Sequence, residues 1–209
     1  MEKNTSTFKN IIFDLGGVIL DLDVPRTLEA FSRASGLPVE NVMHLFRSSA
    51  GFEKYERGEY NDDEFRDFVR RLYDINISDD ELDQCWNAML GPIPPAKLEL
   101  LVNLKKKYPI FLLSNTNTIH LDCVNSIIFP PTANPSLDSY FHKAYYSHFM
   151  GKRKPEPEIF QQVLDENNLQ ASETLFLDDN ADNIAGAAAV GLQTALVNTP
   201  DFILRYFNE

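Results

Sequence analysis

Three short apolar runs each end in polar residues, and this pattern restricts the possible folds more than any other feature of the chain. The runs and the residues that follow them are Ile11–Phe13 with Asp14, Ile110–Leu113 with Ser114 and Asn115, and Leu175–Leu177 with Asp178 and Asp179. Such runs, with helical patterns between them, are typical of buried strands in a parallel α/β sheet. Ligands of these sheets bind beyond the carboxyl ends of the strands. We therefore expect the three polar clusters to meet at one site.

The chain between the first two runs has helical periodicity and no convincing strand. Asn61, with Glu64 three residues later, is typical of a capping box that opens a helix, and Ser78 or Asp79 is suited to open another. The segment Gly91–Pro95 then ends helix formation. The sequence predicts an all-helical cap domain over residues 24–93, inserted into an α/β core formed by residues 1–23 and 94–209.

The core is predicted to be a Rossmann-like parallel sheet with helices on both faces. Besides a first strand near 9–14, the pattern predicts strands near 143–147 and 193–198 and helices near 96–107, 156–167 and 181–190. The segment 121–142, which contains Pro130, Pro131 and Pro135, is expected to be rich in loops and receives no assigned conformation.

Charge and composition exclude several classes of partner. A formal net charge of −12 argues against sequence-independent binding of nucleic acid and against docking on anionic membranes. Met1–Asn10 lacks the apolar core of a signal peptide, and no apolar stretch approaches the roughly 20 residues that span a bilayer. Cys85 and Cys123 have no metal-ligand spacing and are expected to be free thiols. These features predict a soluble cytoplasmic protein.

Asp14 stands at the end of the first predicted strand, directly before a turn at Gly16-Gly17. A carboxylate at this position can attack phosphorus or carbon and form a covalent acyl intermediate that water later resolves. The alternative is an Asp that caps the following turn. The two other polar clusters favour the nucleophile.

Two further groups of residues have side chains that suit a phosphate. Ser114 and Asn115 offer hydroxyl, amide and backbone N–H groups, although a turn followed by an N-cap would use the same residue types. Lys154 belongs to a short cationic run, and its ammonium could offset charge that builds on the phosphate. Such a run is otherwise a solvated loop, but the proline that follows Lys154 would fix its pose.

The adjacent carboxylates of Asp178 and Asp179 repel each other in a crevice unless a cation compensates them. Mg²⁺ is the natural choice, because it prefers a few carboxylates together with water and phosphate oxygens. The alternative is an acidic helix N-terminus at the surface. The buried run before Asp178 makes that alternative weaker.

The four motifs together resemble those of the haloacid dehalogenase superfamily of hydrolases in order and spacing. They are Asp14–Val18, Ser114-Asn115, Lys154-Pro155, and Asp178-Asp179 with Asn183. The helical insertion resembles the small cap domain of that family. Finer features are similar to bacterial alpha-glucose-1-phosphate phosphatases, namely Glu56–Glu59, Ser114–Asn117, Arg153–Glu156 and Asp178–Asn183. The phosphatase domain of soluble epoxide hydrolase is a more distant relative.

The resemblance implies a magnesium-dependent phosphatase that acts through an aspartyl-phosphate on a small phosphorylated metabolite, with a sugar phosphate as the expected substrate class. It implies Asp14 as nucleophile and Lys154 as the group that bridges Asp14 and the phosphate. Ser114 and Asn115 would hold the phosphate. The Mg²⁺ ligands would be Asp14, the backbone carbonyl of Gly16, Asp179, and Asp178 largely through water.

One position departs from the family pattern. Most phosphatases of this superfamily carry a second Asp, acting as general acid and base, where this chain has Gly16. A missing acid typically costs ~10²–10⁴ in rate and matters most for poor leaving groups. Three hypotheses remain: a phosphatase for easier leaving groups, a metal-free 2-haloacid dehalogenase, or a catalytically silent phosphate-binding protein. Asp21 or Asp23 could substitute for the acid or could be structural caps before the next helix.

The predicted cap would select the substrate by closing over the crevice and excluding water. Its polar and aromatic candidates are Tyr55, Glu56, Arg57 and Trp86, although each is more often a surface or core residue. His120 is the histidine expected near the site. The sequence does not indicate the oligomeric state.

Overall fold

The computed structural model describes residues 8–128 and 136–208. Its centre is a five-stranded sheet in the order β3-β2-β1-β4-β5, in which every pairing is parallel. The strands are β1 Asn10–Phe13, β2 Ile110–Ser114, β3 Lys143–Tyr146, β4 Thr174–Asp178 and β5 Gln193–Leu196. The predicted parallel α/β sheet is confirmed, and the predicted strands overlap the observed ones.

The strand order places a topological switch beside β1. The chain passes from β1 to β2 and β3 on one side, and then crosses to β4 and β5 on the other. Phe13 pairs with Leu112 in β2 and with Leu177 in β4, so the three strands end within two residues of the same level. Ligands of open α/β sheets bind in the crevice at such a switch. The polar residues that follow β1, β2 and β4 therefore share one edge of the sheet.

Apolar side chains alternate between the two faces of the strands. Ile11 and Phe13 face one buried cluster, whereas Ile12 faces the other. The helices that cover the sheet are α6 Pro95–Lys105, α7 Thr118–Ile128, α8 Ser147–Met150, α9 Pro157–Glu166, α10 Ala181–Ala189 and α11 Phe202–Tyr206. Residues of α6 and α11 contribute to the first cluster and residues of α9 and α10 to the second, which confirms helices on both faces.

Five helices lie between β1 and α6 and build an apolar cluster of their own. They are α1 Val24–Ser35, α2 Val39–Ser48, α3 Gly51–Glu56, α4 Asp62–Tyr73 and α5 Asp79–Asn87. Phe52, Phe65 and Trp86 lie at the centre of this cluster, with ring centroids 5.2–6.0 Å apart. We call these five helices the cap.

Capping boxes open two helices of the cap. Asn61 accepts from the backbone N–H of Glu64, whose carboxylate accepts from the backbone N–H of Asn61, as the sequence predicts for α4. Ser78 and Glu81 form the same reciprocal pair before α5, so Ser78 rather than Asp79 is the N-cap. Each box satisfies two backbone donors that the helix itself leaves unpaired.

The two chain segments that join cap and core are paired with each other. The N–H of Gly91 donates to the carbonyl of Asp21 at 2.8 Å, and the N–H of Asp23 donates to that of Met89 at 2.9 Å. Between these bonds, Leu22 and Leu90 form an antiparallel bridge. The connection is thus a short two-stranded ribbon rather than two independent linkers.

The segment 121–142 contains more regular structure than the sequence predicts. Helix α7 continues to Ile128, and a short 3₁₀ helix covers Leu137–Tyr140. Pro130, Pro131 and Pro135 lie outside the described residues. Within residues 8–128 and 136–208, none of the helices combines the length and the apolar character needed to cross a bilayer.

Candidate active site

Asp14 follows β1 directly and is fixed by the sheet. Its backbone N–H donates to the carbonyl of Leu177 in β4 at 2.9 Å, so the residue stays in the ladder although it lies beyond the strand. The side chain is buried. Burial raises the pKa of Asp14 to about 7; Lys154 opposes this shift and Asp178 adds to it. A bound cation would favour the ionised carboxylate that can act as a nucleophile.

Lys154 is buried at the centre of the cluster. Its Nζ donates to Oδ1 of Asp14 at 2.7 Å and to Oδ2 of Asp178 at 2.6 Å. Burial alone would lower the pKa of Lys154, but the two carboxylates raise it, so the ammonium stays charged. The sequence places Lys154 between nucleophile and phosphate, and the structure brings it to the nucleophile.

Asn115 holds the backbone of Lys154 through both ends of its side-chain amide. Nδ2 of Asn115 donates to the carbonyl of Lys154 at 2.9 Å, and Oδ1 accepts from the Lys154 N–H at 2.9 Å. Asn115 therefore positions Lys154, a role that the sequence did not reveal. Its predicted contact with phosphate, and that of the buried Ser114 at the end of β2, stay predictions.

Asp178 is fully buried and oriented by the protein. Oδ1 accepts from the N–H of Asn180 at 2.8 Å, and both carboxylate oxygens lie 3.0 Å from Nδ2 of Asn183. Asp179, by contrast, is exposed, and burial of part of its surface together with Asp178 raises its pKa. Because Asp178 already has several protein donors, Asp179 is the carboxylate of the pair that is free to meet a ligand.

The carboxylates of Asp14, Asp178 and Asp179 form a cluster that fits a divalent cation. One oxygen from each lies within 4.8 Å of the others. The Lys154 ammonium contacts two carboxylates of this cluster and offsets part of their negative charge. Hard carboxylate oxygens of this number suit Mg²⁺. Bound there, Mg²⁺ would polarise a phosphoryl oxygen and neutralise charge on it.

The glycine turn after Asp14 packs against Asp179. A Cβ on Gly17, which has φ +70°, would lie 2.1 Å from Oδ2 of Asp179. The carboxylate can reach the site only because Gly17 has no side chain. The carbonyl of neighbouring Gly16 stays a predicted Mg²⁺ ligand.

The position of the missing general acid is filled. A Cβ on Gly16 would lie 2.5 Å from Cδ1 of Leu22, so this leucine occupies the space that a side chain at residue 16 would need. Of the two suggested substitutes, Asp21 accepts from the buried Lys97 at 3.2 Å. Asp23 takes the N-cap position of α1, as the sequence suggests, although its side chain makes no capping hydrogen bond there.

The candidates from the cap divide into two groups. Tyr55 and Trp86 are buried in the apolar cluster of the cap. The Tyr55 hydroxyl donates to Asp62, and the Trp86 ring stacks on His120 with centroids 4.6 Å apart. Glu56 and Arg57 instead form ion pairs with the core on either side of Lys154. His120 lies buried between cap and core, where burial lowers its pKa to about 4.

Comparison with known proteins adds an independent line of evidence. Residues 8–191 match the model of haloacid dehalogenase-like hydrolases. The chain is 33% identical over 186 residues to the D-ribitol-5-phosphate phosphatase of Bacteroides thetaiotaomicron, covering 89% of this chain and 90% of the relative. The structure of a haloacid dehalogenase (HAD) family enzyme of the same organism, in complex with magnesium and inorganic phosphate, superposes with a TM-score of 0.82 at 38% identity. The match covers 90% of this chain and 93% of the other.

A more distant structure shares the fold alone. The L-2-haloacid dehalogenase of Xanthobacter autotrophicus superposes with a TM-score of 0.62 at 18% identity, over 90% of this chain and 77% of the other. The four ordered motifs, the parallel sheet and the family match agree. The chain belongs to the haloacid dehalogenase-like hydrolases.

Proposed function

We propose that this chain is a magnesium-dependent phosphomonoester hydrolase whose nucleophile is Asp14. The observation that carries the proposal is the buried contact of Lys154 with Asp14 and Asp178, beside the exposed carboxylate of Asp179. The proposal is supported by this arrangement, in which three carboxylates and one buried ammonium lie together at one sheet edge. The magnesium and phosphate complex of the HAD family relative supports the same assignment.

The proposed reaction has two displacements on phosphorus. A carboxylate oxygen of Asp14 bonds to phosphorus while the ester P–O bond breaks, and the leaving oxygen takes a proton from solvent water. Water then attacks the aspartyl-phosphate, the bond to Asp14 breaks and inorganic phosphate leaves. Lys154 holds positive charge beside the phosphoryl oxygens in both steps, and such charge compensation accounts for most catalysis of phosphoryl transfer.

The proposed substrate class is a phosphorylated sugar or sugar alcohol. The motif resemblance favours an ester at the anomeric carbon, whose leaving group needs less help from an acid than a primary alcohol. By its name, the D-ribitol-5-phosphate phosphatase relative acts instead on the ester of a primary alcohol. Leu22 against Gly16 favours the easier leaving group, because no side chain at residue 16 can protonate a poor one. Both kinds belong in a substrate screen.

The division into domains is part of the proposal. Residues 24–93 would act as the cap that closes the crevice, and residues 1–23 and 94–209 as the hydrolase core. The separate aromatic cluster of the cap and the paired ribbon at its base support this division.

Neither alternative gains support from the site. A metal-free dehalogenase has no use for the cluster of Asp14, Asp178 and Asp179, and the structural likeness to such an enzyme shows the fold alone. A silent binding protein does not require a lysine held against a nucleophile at 2.7 Å.

The test is a screen of phosphate esters with and without Mg²⁺, with 2-haloacids in parallel. The panel includes glucose 1-phosphate, glucose 6-phosphate and ribitol 5-phosphate. We expect phosphate release that requires Mg²⁺ and disappears in Asp14→Asn. Asp165→Asn, which removes an exposed carboxylate on α9 that accepts from Gln161, is the matched control and should retain activity.

Two results would contradict the proposal. Halide release without metal would identify a dehalogenase. Absence of turnover across the panel, with a folded protein that phosphate still stabilises against heat, would identify a binding protein.

A further inference from the structure

Two ion pairs of opposite polarity join the end of α3 in the cap to the segment around Lys154. Arg57 donates from Nη1 to Oε2 of Glu156 at 2.8 Å and from Nη2 to Oε1 of the same carboxylate. Arg153 donates from Nε to Oε2 of Glu56 at 3.0 Å. Adjacent cap residues of charge −1 and +1 thus meet core residues of charge +1 and −1. We call these four residues the charge clamp.

The charge clamp lies where cap and core approach each other closely. A Cβ on Gly58, which has φ +69°, would lie 2.2 Å from the carbonyl oxygen of His148. The absence of a side chain at Gly58 lets the turn after α3 touch the core backbone. The clamp side chains are 22–32% exposed, so they are largely shielded from solvent. Ordinary surface ion pairs contribute little, but a bidentate and partly buried pair is a stronger geometric constraint.

The clamp is continuous with the catalytic lysine. Arg153 and Glu156 flank Lys154, and the N–H of Arg153 lies 3.4 Å from Oε2 of Glu156. Asn115 then holds the peptide groups of Lys154 itself. The cap therefore contacts residues on both sides of Lys154, while the core holds Lys154 itself.

Electrostatics also connect the cap with the site. Burial raises the pKa of Glu56, while the cations Arg153 and Lys154 act in the opposite direction. Arg57, in turn, holds the pKa of Glu156 below its usual range.

We propose that the charge clamp of Glu56, Arg57, Arg153 and Glu156 is a positioning device, which uses the seated cap to set Lys154 for phosphoryl transfer. The inference rests on the proposed function, since it assigns Lys154 a part in turnover. It predicts that loss of the clamp lowers kcat more than it changes KM. A small displacement of a catalytic group can cost roughly 10²-fold in rate, and the clamp acts at one remove from the reacting atoms.

The test uses Arg57→Gln, the charge reversal Arg57→Glu, and the swap that combines Arg57→Glu with Glu156→Arg. The matched control is Arg66→Gln, because Arg66 makes an equally bidentate pair with Asp83 that joins α4 to α5 inside the cap. We expect kcat to fall roughly tenfold or more in Arg57→Glu, to recover largely in the swap, and to change less than about twofold in the control.

Hydrogen exchange of a peptide covering residues 151–157 gives a readout that needs no turnover. Exchange should become faster in Arg57→Gln and Arg57→Glu, return towards wild type in the swap, and stay unchanged in Arg66→Gln. Unchanged exchange in both Arg57 variants would overturn the proposal, and so would faster exchange with unchanged kcat. If wild type hydrolyses no ester, the proposed function fails, whereas the exchange data still show whether the clamp holds the Lys154 segment.

Discussion

Gly17→Ala is expected to weaken Mg²⁺ binding as well as folding, because Gly17 packs against the carboxylate of Asp179. Two costs arise in this variant: an alanine must adopt φ +70°, and its Cβ meets Oδ2 of Asp179 at 2.1 Å. The left-handed conformation costs roughly 1–2 kcal/mol for a residue with a side chain. Ordinary van der Waals contact starts at 3.4 Å, so the carboxylate must move by the difference, 3.4 − 2.1 = 1.3 Å. The end of an exposed side chain can move that far, but then it leaves the cluster with Asp14 and Asp178.

Gly36→Ala separates the two costs. Gly36 ends α1 with φ +71°, and a Cβ there would have no atom within 4 Å. The free-energy cost of placing an alanine at positive φ is the same in both variants, whereas only Gly17→Ala displaces a carboxylate. Urea unfolding without metal should therefore show similar losses of roughly 1–2 kcal/mol in the two proteins.

Calorimetric titration with Mg²⁺ should distinguish the two variants. Displacing a metal ligand or its support typically costs 10–100-fold in metal affinity, so we expect the Kd of Gly17→Ala to rise by about that factor and that of Gly36→Ala to stay near wild type. Equal Mg²⁺ affinities in the two variants would refute the assignment of Asp179 to the metal site.

Three further predictions concern pH, leaving group and helix capping. The pKa of His120 is about 4 in the folded protein and 6.5 in the unfolded chain, so its full contribution to the free energy of unfolding is present above pH 6.5 and is lost as the pH falls toward 4. At pH 4 the loss is roughly 3 kcal/mol. In His120→Gln, the free energy of unfolding measured with urea should no longer show this part of its pH dependence. Gly16→Asp combined with Leu22→Ala should speed turnover of a primary alkyl phosphate relative to p-nitrophenyl phosphate more than Gly16→Asp alone, in which the exposed Leu22 side chain must first move aside. Asn61→Ala should lower the unfolding free energy by about 1 kcal/mol without changing kcat.

The neutral state of His120 follows from its partners. Nε2 lies 3.2 Å from the carbonyl of Trp86, which can only accept, so Nε2 carries the hydrogen and Nδ1 accepts from Nδ2 of Asn117 at 3.3 Å. A second ring proton would face the Asn117 amide hydrogen. A His120→Gln protein with the same acid slope as wild type would show that His120 does not cause it.

Much of the fold could be predicted because its signals are local. Buried strands are short apolar runs, and the capping box of Asn61 and Glu64 is written within four residues. The helix α7 was missed because the prolines after it suggested a loop for the whole segment 121–142. Prolines restrict only their own surroundings and leave a preceding helix intact.

The site could be predicted where parallel strands bring their ends together by topology. Asp14 and Asp178, at the ends of neighbouring strands, lie close together as the sequence indicates. Lys154 lies instead in the loop between α8 and α9, and its place beside Asp14 was predicted from the cationic run and the motif resemblance. The features that could not be predicted depend on contacts between particular side chains, such as the packing of Leu22 against Gly16. The clamp is of the same kind: Arg57 and Glu156 are 99 residues apart, and no local pattern pairs them.

The most direct test of the central claim is a crystal structure of the protein with Mg²⁺ and beryllium fluoride, a mimic of the aspartyl-phosphate. We predict density for a BeF3− group whose beryllium is bonded to a carboxylate oxygen of Asp14, with Lys154 beside its fluorides and a cation in contact with both Asp14 and Asp179. A BeF3− group on another residue, or a cation that binds away from Asp179, would contradict the proposed nucleophile or metal site.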